Sequence, residues 1–397
     1  MNTAGLPTPP QSKSSYPLTS LRFFAALLVL YHHSVRTFLP VFSARAENHG
    51  ASHGFFATLS FTFTVSVSFF FLLSGYVLSL VYLRNTQPLN LRKFFVARFA
   101  RLYPLYLVVQ TADSVEFLSA QLQLHTVPIA IARTGLVWLA NLCMVQVWSR
   151  KLLHINPPSW SLCCEVFFYL CFPLLGGLLW KLRGARLWIA AFVLFAGGQA
   201  LAMALRPHLT VLTVLTLPVM HLPTFALGIL LARSHTLQRE RKDRPPIRPS
   251  HAYAVLALSI AGLLLSVPLQ SLFHVPNPYN DGMMAPIFAL IVWALSATPT
   301  ALSRLLCARG LIALGNASYA LYLIHYPILV LFQHFHWISP FCYAVYVLLC
   351  IGLSLMSFHY FETPTRLWLV ARLEKQPAQQ REPRPETQPL ESIRPGR

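Results

Sequence analysis

The sequence predicts an all-α, polytopic membrane protein with about ten transmembrane helices, and three observations support this fold class. Of the 397 residues, 55% are apolar and only 11% are charged, whereas a soluble domain carries about 25% charged residues. Apolar runs long enough to cross a bilayer recur along the chain. No strand-like alternation of polar and apolar residues is present between them.

The first span covers residues 19–40, and ten further apolar runs follow it. They lie at about 57–83, 103–122, 127–148, 160–180, 186–206, 210–232, 251–269, 283–298, 311–333 and 340–358. Lys and Arg concentrate in the segments 84–101, 181–186, 233–248, 304–309 and from Arg366 onward. Basic loops of membrane proteins face the cytoplasm. We therefore expect both termini on the cytoplasmic side of a cell inner membrane.

This loop pattern reduces eleven candidate spans to ten. If the loops ending at residue 101 and beginning at residue 181 are both cytoplasmic, the region 103–148 supplies a single net crossing. One of its two apolar runs should then be short, tilted or re-entrant. Asp113 and Glu116 make 103–122 the weaker span.

Three parts of the chain differ in composition. Residues 1–18 are polar, rich in Pro and Ser, and resemble no cleavable signal peptide, so we expect a cytoplasmic N-terminal segment. Residues 19–365 form the membrane domain. Residues 366–397, rich in Pro, Arg, Glu and Gln, are predicted to be a disordered cytoplasmic tail.

Charge and cysteine usage exclude some classes of function. The net charge of +19 follows from basic cytoplasmic loops, and no soluble basic domain is present to bind nucleic acid. The seven cysteines form no spaced CxxC pair, so neither a zinc site nor a disulfide framework is predicted. The sequence thus predicts no metal site, and it leaves the oligomeric state open.

Three ionisable side chains inside the apolar runs are candidates for chemistry. By helical rise and loop orientation, His33, Glu165 and His325 share one layer in the outer half of the membrane. A neutral histidine beside a carboxylate is the usual arrangement of a general base and would activate an alcohol. The alternatives are a structural ion pair for Glu165, a packed histidine bonded to a carbonyl for His33, and a packing face for His325. GxSxG, HExxH and Walker A motifs are absent from the sequence.

Two features belong to the cytoplasmic half. Arg98 and Arg101 are three residues apart on one helical face, and Arg22 lies near the same membrane surface. Arginine suits bidentate phosphate binding, although juxtamembrane arginines also simply mark topology. The run ending Ser74-Gly75-Tyr76 places small residues inside a span and favours close helix packing.

Taken together, these stretches resemble acyltransferase family 3, the integral-membrane O-acyltransferases of bacterial envelope sugars. The matching stretches occur in family order: Leu21-Arg22-Phe-Phe-Ala-Ala with His33, Phe70-Phe71-Leu-Leu-Ser74-Gly75-Tyr76, Arg98-Phe-Ala-Arg101-Leu-Tyr-Pro104, Trp160-Ser161-Leu162-Cys-Cys-Glu165, Leu222-Pro223-Thr-Phe225-Ala-Leu-Gly228, Gly315-Asn-Ala-Ser318-Tyr319-Ala-Leu-Tyr322-Leu-Ile-His325 and Tyr360-Phe-Glu362-Thr-Pro364.

The resemblance implies transfer of an acyl group, acetyl in the first instance, from acyl-CoA to a hydroxyl of a carbohydrate or glycolipid. Acyl-CoA would be a co-substrate, with no permanently bound cofactor. His33 aligns with the essential histidine of the family, which Glu165 would orient, and a covalent acyl-histidine remains an alternative. Arg22, Arg98 and Arg101 would hold the CoA phosphates. Acceptor contacts would come from Trp160, Ser161, Tyr322 and His325.

Two rival functions remain open at the level of sequence. Intramembrane His and Glu also suit the proton relay of a secondary transporter or flippase, although the inverted repeats typical of transporters are not detectable here. The acceptor of an acyltransferase could instead be a small molecule such as a macrolide.

Overall fold

The protein folds into a bundle of helices. This computed structural model describes residues 16–43, 65–84, 88–205, 207–240, 248–273 and 282–374, and in these residues it contains no strand. The α-helices in chain order are α1 (Tyr16–Ser43), α2 (Ser66–Tyr82), α3 (Leu91–Leu124), α4 (Val127–Leu142), α5 (Trp160–Leu179), α6 (Ala185–Leu205), α7 (Val211–Thr216), α8 (Pro218–Glu240), α9 (Pro249–Phe273), α10 (Ala285–Ala297), α11 (Ala301–Leu306), α12 (Arg309–Asn316), α13 (Ser318–His334), α14 (Pro340–Ser357) and α15 (Thr363–Leu373). A π-helical turn, Phe358–Glu362, joins the last two.

The structure confirms a helical, polytopic membrane protein. Within the described residues, five helices are long and apolar enough to cross a membrane, and a sixth is obtained if α12 and α13, bent by 59° at Ala317, form one span. Three further apolar helices, α2, α4 and α10, are shorter. The count of ten crossings stays a prediction.

Neither apolar run of the region 103–148 is among the five candidate spans, so which of the two crosses the membrane stays a prediction. Residues 103–122 lie within the continuous 34-residue helix α3, about 51 Å long. The 16 residues of α4 span only about 24 Å, less than the hydrocarbon core of a bilayer. The end of α4 lies within the bundle, because Tyr106 Oη donates to the Asn141 carbonyl at 2.7 Å. Asp113 and Glu116 lower the hydropathy of 103–122 without shortening its helix.

Helices α2 and α8 cross with their backbones in contact. A Cβ atom placed on Gly75 would overlap the carbonyl oxygen of Phe225, and one placed on Gly228 would overlap that of Leu72. Only glycine allows this approach, which small residues provide in membrane helices. The crossing confirms close helix packing at the Ser74-Gly75 stretch and holds Ser74 toward α5.

The basic loops gather at one end of the bundle. Arg92 donates to the Leu373 carbonyl at 2.9 Å, which joins the start of α3 to the end of α15. Arg233 lies over the Trp180 ring at 5.3 Å, which brings the ends of α5 and α8 together. Ser20 donates to the Leu306 carbonyl, so the start of α1 lies beside the end of α11. This end is called the basic end below.

Two helices extend past the predicted domain boundaries near the chain termini. Helix α1 begins at Tyr16, three residues before the predicted membrane domain. Helix α15 extends to Leu373, so the beginning of the predicted disordered tail is helical. The remainder of that tail, 375–397, and residues 1–15 lie outside the described residues.

Candidate active site

Helix α1 carries two of the predicted site residues on one face. Arg22 and His33 are eleven residues apart, which is about 16 Å along the axis and about 20° around it. Val29 lies between them on the same face and is buried. Helix α1 therefore joins the basic end to the membrane interior through a single stripe of side chains.

His33 is held by a backbone carbonyl and a second histidine. Its Nδ1 lies 2.9 Å from the Val29 carbonyl and 3.3 Å from Nε2 of His325. His325 is fully buried, and its Nδ1 lies 3.2 Å from the Leu321 carbonyl. A carbonyl only accepts, so each Nδ1 carries the hydrogen, and the His33 Nδ1–H is shared with the lone pair of His325 Nε2. This leaves the lone pair of the partly exposed His33 on Nε2, as a general base requires.

Glu165 does not orient His33, contrary to the expectation from sequence. Its Oε1 accepts hydrogen bonds from Ser74 Oγ at 3.2 Å and from Tyr169 Oη at 2.5 Å. The partner of His33 is instead His325, which is fully buried and whose ring packs against that of His33.

The two groups are separated because α5 begins deep in the bundle. Ser161 Oγ and Tyr322 Oη are 2.7 Å apart, which places these residues at one level. Glu165 follows Ser161 by four residues toward the basic end, and His325 follows Tyr322 by three residues away from it. The two levels are therefore about 10 Å apart along the bundle. Ile155 and Asn156, in the segment just before α5, are buried within the bundle.

Arg98 links Glu165 to the basic end. Its guanidinium donates to Tyr82 Oη at 3.2 Å and lies 6.0 Å from the centre of the Tyr169 ring. Tyr169 in turn donates to Glu165. The Arg98 Nε is buried and has no partner among the described residues. This residue is thus built into the site and is more than a surface marker of topology.

Further charges surround Arg98. The charge of Arg22 interacts with those of Arg101, Glu165 and Glu362. The charge of Arg366 interacts with those of Arg98, Arg101 and Glu362. We call Arg22, Arg98, Arg101 and Arg366 the arginine cluster. Four arginines face two carboxylates, so the cluster keeps a surplus positive charge.

Sequence reasoning missed two members of this neighbourhood. Glu362 lies in the last stretch that resembles the family but has no expected role, and Arg366 falls at the start of the predicted tail. Glu362 ends the π-helical turn, and its buried Oε1 has no partner in the described part of the chain. The sequence pattern that could have indicated these two residues is an acidic and a basic residue four positions apart, directly after the last apolar run.

The structure brings only some of the remaining predicted acceptor-binding residues close to the histidine pair. Ser161 and Tyr322 are buried together, and the Tyr322 ring lies 6.1 Å from that of His325. Trp160 instead packs against Phe71 and His221, with ring centres 6.1 Å and 5.3 Å away. The structure therefore brings Ser161 and Tyr322 to the histidine pair and places Trp160 on another side of α5.

An apolar cavity of about 300 Å³ adjoins the arginine cluster. It lies between α3, the end of α4 and α5, and Arg98 and Tyr169 line its polar side. The other lining residues are Phe95, Phe99, Leu102, Tyr103, Leu142, Cys143, Met144, Val166 and Leu170. This arrangement provides an apolar space beside positive charge.

Comparison with known proteins places the chain among acyltransferases. It is 32% identical over 336 residues to the acyltransferase MdmB of Streptomyces mycarofaciens, a match that covers 81% of this chain and 80% of the relative. It is 26% identical over 328 residues to the O-acetyltransferase OatA of Staphylococcus aureus, across 76% of this chain and 52% of OatA.

A third relative is YrhL of Bacillus subtilis, provisionally named a peptidoglycan O-acetyltransferase. It is 27% identical over 368 residues, which cover 88% of this chain and 54% of YrhL. The chain thus spans about half the length of OatA and YrhL. No solved structure matches it.

A family model covers most of the chain. The model of acyltransferase family 3, described as an acyltransferase domain, matches residues 16–359. That range contains His33, the residues around Glu165 and three members of the arginine cluster. The chain belongs to acyltransferase family 3.

Proposed function

We propose that this acyltransferase moves an acyl group, acetyl in the first instance, from acyl-CoA to a hydroxyl of a carbohydrate or glycolipid. The observation that carries the proposal is the α1 stripe. It places a positively charged cluster at the basic end about 16 Å from a histidine whose Nε2 is free to accept a proton. The names of OatA and YrhL support O-acetylation, and the second name supports a glycan acceptor.

The donor would bind from the basic end. Guanidinium groups bind phosphates through paired hydrogen bonds, and the arginine cluster has the surplus charge to hold the CoA phosphates. The flexible pantetheine arm would extend along the cluster toward His33, beside the apolar cavity next to Arg98. Glu165, through Tyr169, would hold Arg98 in place.

His33 would act at the other end of this path. Its Nε2 takes the proton of the acceptor hydroxyl while that oxygen attacks the thioester carbonyl carbon. The new C–O bond replaces the C–S bond, and the CoA thiolate leaves with the proton carried by His33. The Val29 carbonyl and His325 Nε2 both accept from Nδ1–H and so stabilise the transient imidazolium. An acyl group carried covalently on His33 remains an alternative route to the same products.

The first test measures activity and orientation together. We propose that the basic end faces the cytoplasm of a cell inner membrane, because the basic loops meet there. Radiolabelled acetyl-CoA added outside sealed inside-out membrane vesicles should therefore be consumed and its acetyl group transferred. Right-side-out vesicles should show no consumption until they are permeabilised. A transporter or flippase would leave acetyl-CoA intact in both preparations, and equal activity in both would contradict the orientation.

The second prediction concerns the donor site. Arg98→Ala and Arg101→Ala should each weaken acetyl-CoA binding by about 10- to 150-fold, because each removes a charge-assisted hydrogen bond of about 1.5–3 kcal/mol. Arg92→Ala is the matched control, since Arg92 lies on the same helix but is exposed and donates to the Leu373 carbonyl. Donor KM in vesicles measures the effect. If the Arg98 and Arg101 variants have the same donor KM as the Arg92 control, these arginines only determine topology and do not bind the donor.

A further inference from the structure

A buried polar cluster lies farther along α3 than the arginine cluster, about 14–18 Å beyond Arg101 in the direction away from the basic end. It consists of Gln110 and Asp113 on α3 and Asn156 in the segment before α5. Their exposed fractions are 0%, 8% and 2%. No step of the proposed reaction uses them, and we call them the outer polar cluster.

Contacts connect this cluster to His33. Asn156 interacts with the Asp113 side chain, and its Nδ2 donates to the Leu323 carbonyl of α13 at 3.1 Å. Tyr326, three residues along α13, meets the His33 ring edge-on with centres 6.1 Å apart and is electrostatically coupled to Asp113. The outer polar cluster is therefore a neighbour of the catalytic candidate.

The cluster lacks hydrogen-bond partners where burial would demand them. Gln110 has no partner among the described residues for either Oε1 or Nε2, and the same holds for Asp113 Oδ2 and Asn156 Oδ1. Buried polar groups are nearly always paired, so each such atom calls for an explanation. Four unpaired atoms on three neighbouring residues point to a ligand that supplies the missing bonds.

The types of atom define the ligand. Three of the four are acceptor oxygens, and the fourth is an amide donor. A phosphate or carboxylate offers only acceptors and would face three oxygens. A hydroxyl both donates and accepts, so a neutral molecule with several hydroxyls matches the whole set.

We propose that the outer polar cluster binds the acceptor as a polyhydroxylated molecule and presents one of its hydroxyls to His33 Nε2. The proposal rests on the proposed O-acyl transfer and adds the position and chemical class of the acceptor site. Its residues were absent from the sequence-based candidates, apart from the charge of Asp113, which served only to judge a span.

The test uses purified protein in detergent, radiolabelled acetyl-CoA and two acceptor probes. N-acetylglucosamine oligomers carry many hydroxyls, and 1-octanol carries one. Asp113→Asn and Gln110→Met should lower kcat/KM for the oligomers through KM, by about 10- to 150-fold for Asp113, the range for a hydrogen bond to a charged group. The KM for acetyl-CoA and the rate with 1-octanol should stay within about two-fold. Ser114→Ala is the control, because Ser114 is next to Asp113 but donates to the Thr111 carbonyl of its own helix.

Several outcomes would contradict the proposal that the outer polar cluster binds the acceptor. An unchanged oligomer KM, an equal loss for both probes, or a wild-type enzyme that acylates 1-octanol but no oligomer would each do so. A fall in kcat at constant oligomer KM would instead assign Asp113 to proton release. A wild-type protein that consumes no acetyl-CoA would contradict the proposed function alone. Thermal stabilisation by the oligomers needs no turnover, and it should then still be seen in wild type and lost in both variants.

Discussion

His33→Ala should abolish acyl transfer and leave the protein folded, inserted and able to bind acetyl-CoA. Loss of a general base costs about 100- to 10,000-fold in rate. The reason lies in the geometry of α1, where the Val29 carbonyl and His325 fix the His33 Nδ1–H and leave Nε2 to accept the proton. Single-turnover transfer at matched membrane levels, together with the donor dissociation constant, measures the effect.

His32 is the matched control. It is the same residue type one position earlier, which turns it about 100° around the helix. His32→Ala should therefore change the rate only a few-fold. A His32→Ala protein as inactive as His33→Ala, or a His33→Ala protein with near-normal turnover, would mean that the base is misassigned.

Two further variants separate the partners that sequence and structure assign to His33. His325→Phe should lower kcat without changing the KM for acetyl-CoA, because it removes the acceptor of the Nδ1–H and keeps the ring. Glu165→Gln should act mainly on the KM for acetyl-CoA, through Tyr169 and Arg98. The reverse pattern would support a carboxylate that acts on His33.

Gly75→Val should prevent stable folding of the bundle. A branched side chain at this position meets the backbone of Phe225, which cannot rotate away as a side chain can. Overpacking of a core costs about 1–3 kcal/mol even where side chains absorb it, so we expect at least that loss. The measurement is the yield and melting temperature of detergent-purified protein.

Gly177 supplies the control for Gly75. A Cβ at Gly177 of α5 meets nothing within 4 Å, so Gly177→Ala should be neutral or slightly stabilising, because alanine favours helix. Gly228→Ala should resemble Gly75→Val, since its Cβ would overlap the carbonyl of Leu72. Normal yield and melting of both variants would show that α2 and α8 do not cross as closely as described.

Some features of the helices and of the candidate site could be predicted from the local sequence alone. The tandem small residues Ser74-Gly75 and the arginine pair Arg98 and Arg101 lie on single helices, where spacing determines which side chains share a face. His33 was a candidate because a titratable group in an apolar run is costly unless it has a function. Each of these inferences needs one helix and its periodicity, which the sequence contains in full.

The depth of Glu165 within the bundle could not be predicted in this way. A residue count from the membrane surface places Glu165 in the layer of His33. Ile155 and Asn156, just before α5, are already buried, so α5 begins deeper than that count allows. For the same reason, the sequence wrongly predicted a contact between Glu165 and His33. It did not predict the contact between His33 and His325, which are 292 positions apart. Residue counting holds within a helix and fails across a loop whose path is unknown.

The sequence by itself determined the helical membrane fold, the gathering of basic loops on one side, the acyltransferase family and the candidacy of His33 and the arginines. These properties follow from composition, from periodicity within single helices and from ordered motifs. Only the tertiary structure decided which histidine contacts His33 and which carboxylate accompanies Arg98. It also decided that Arg366 joins the arginine cluster beside Glu362, and that Asp113 and Asn156 lie close together. Each of these contacts joins segments distant in the chain, and their relative depth is set by how the helices pack and where the loops between them run.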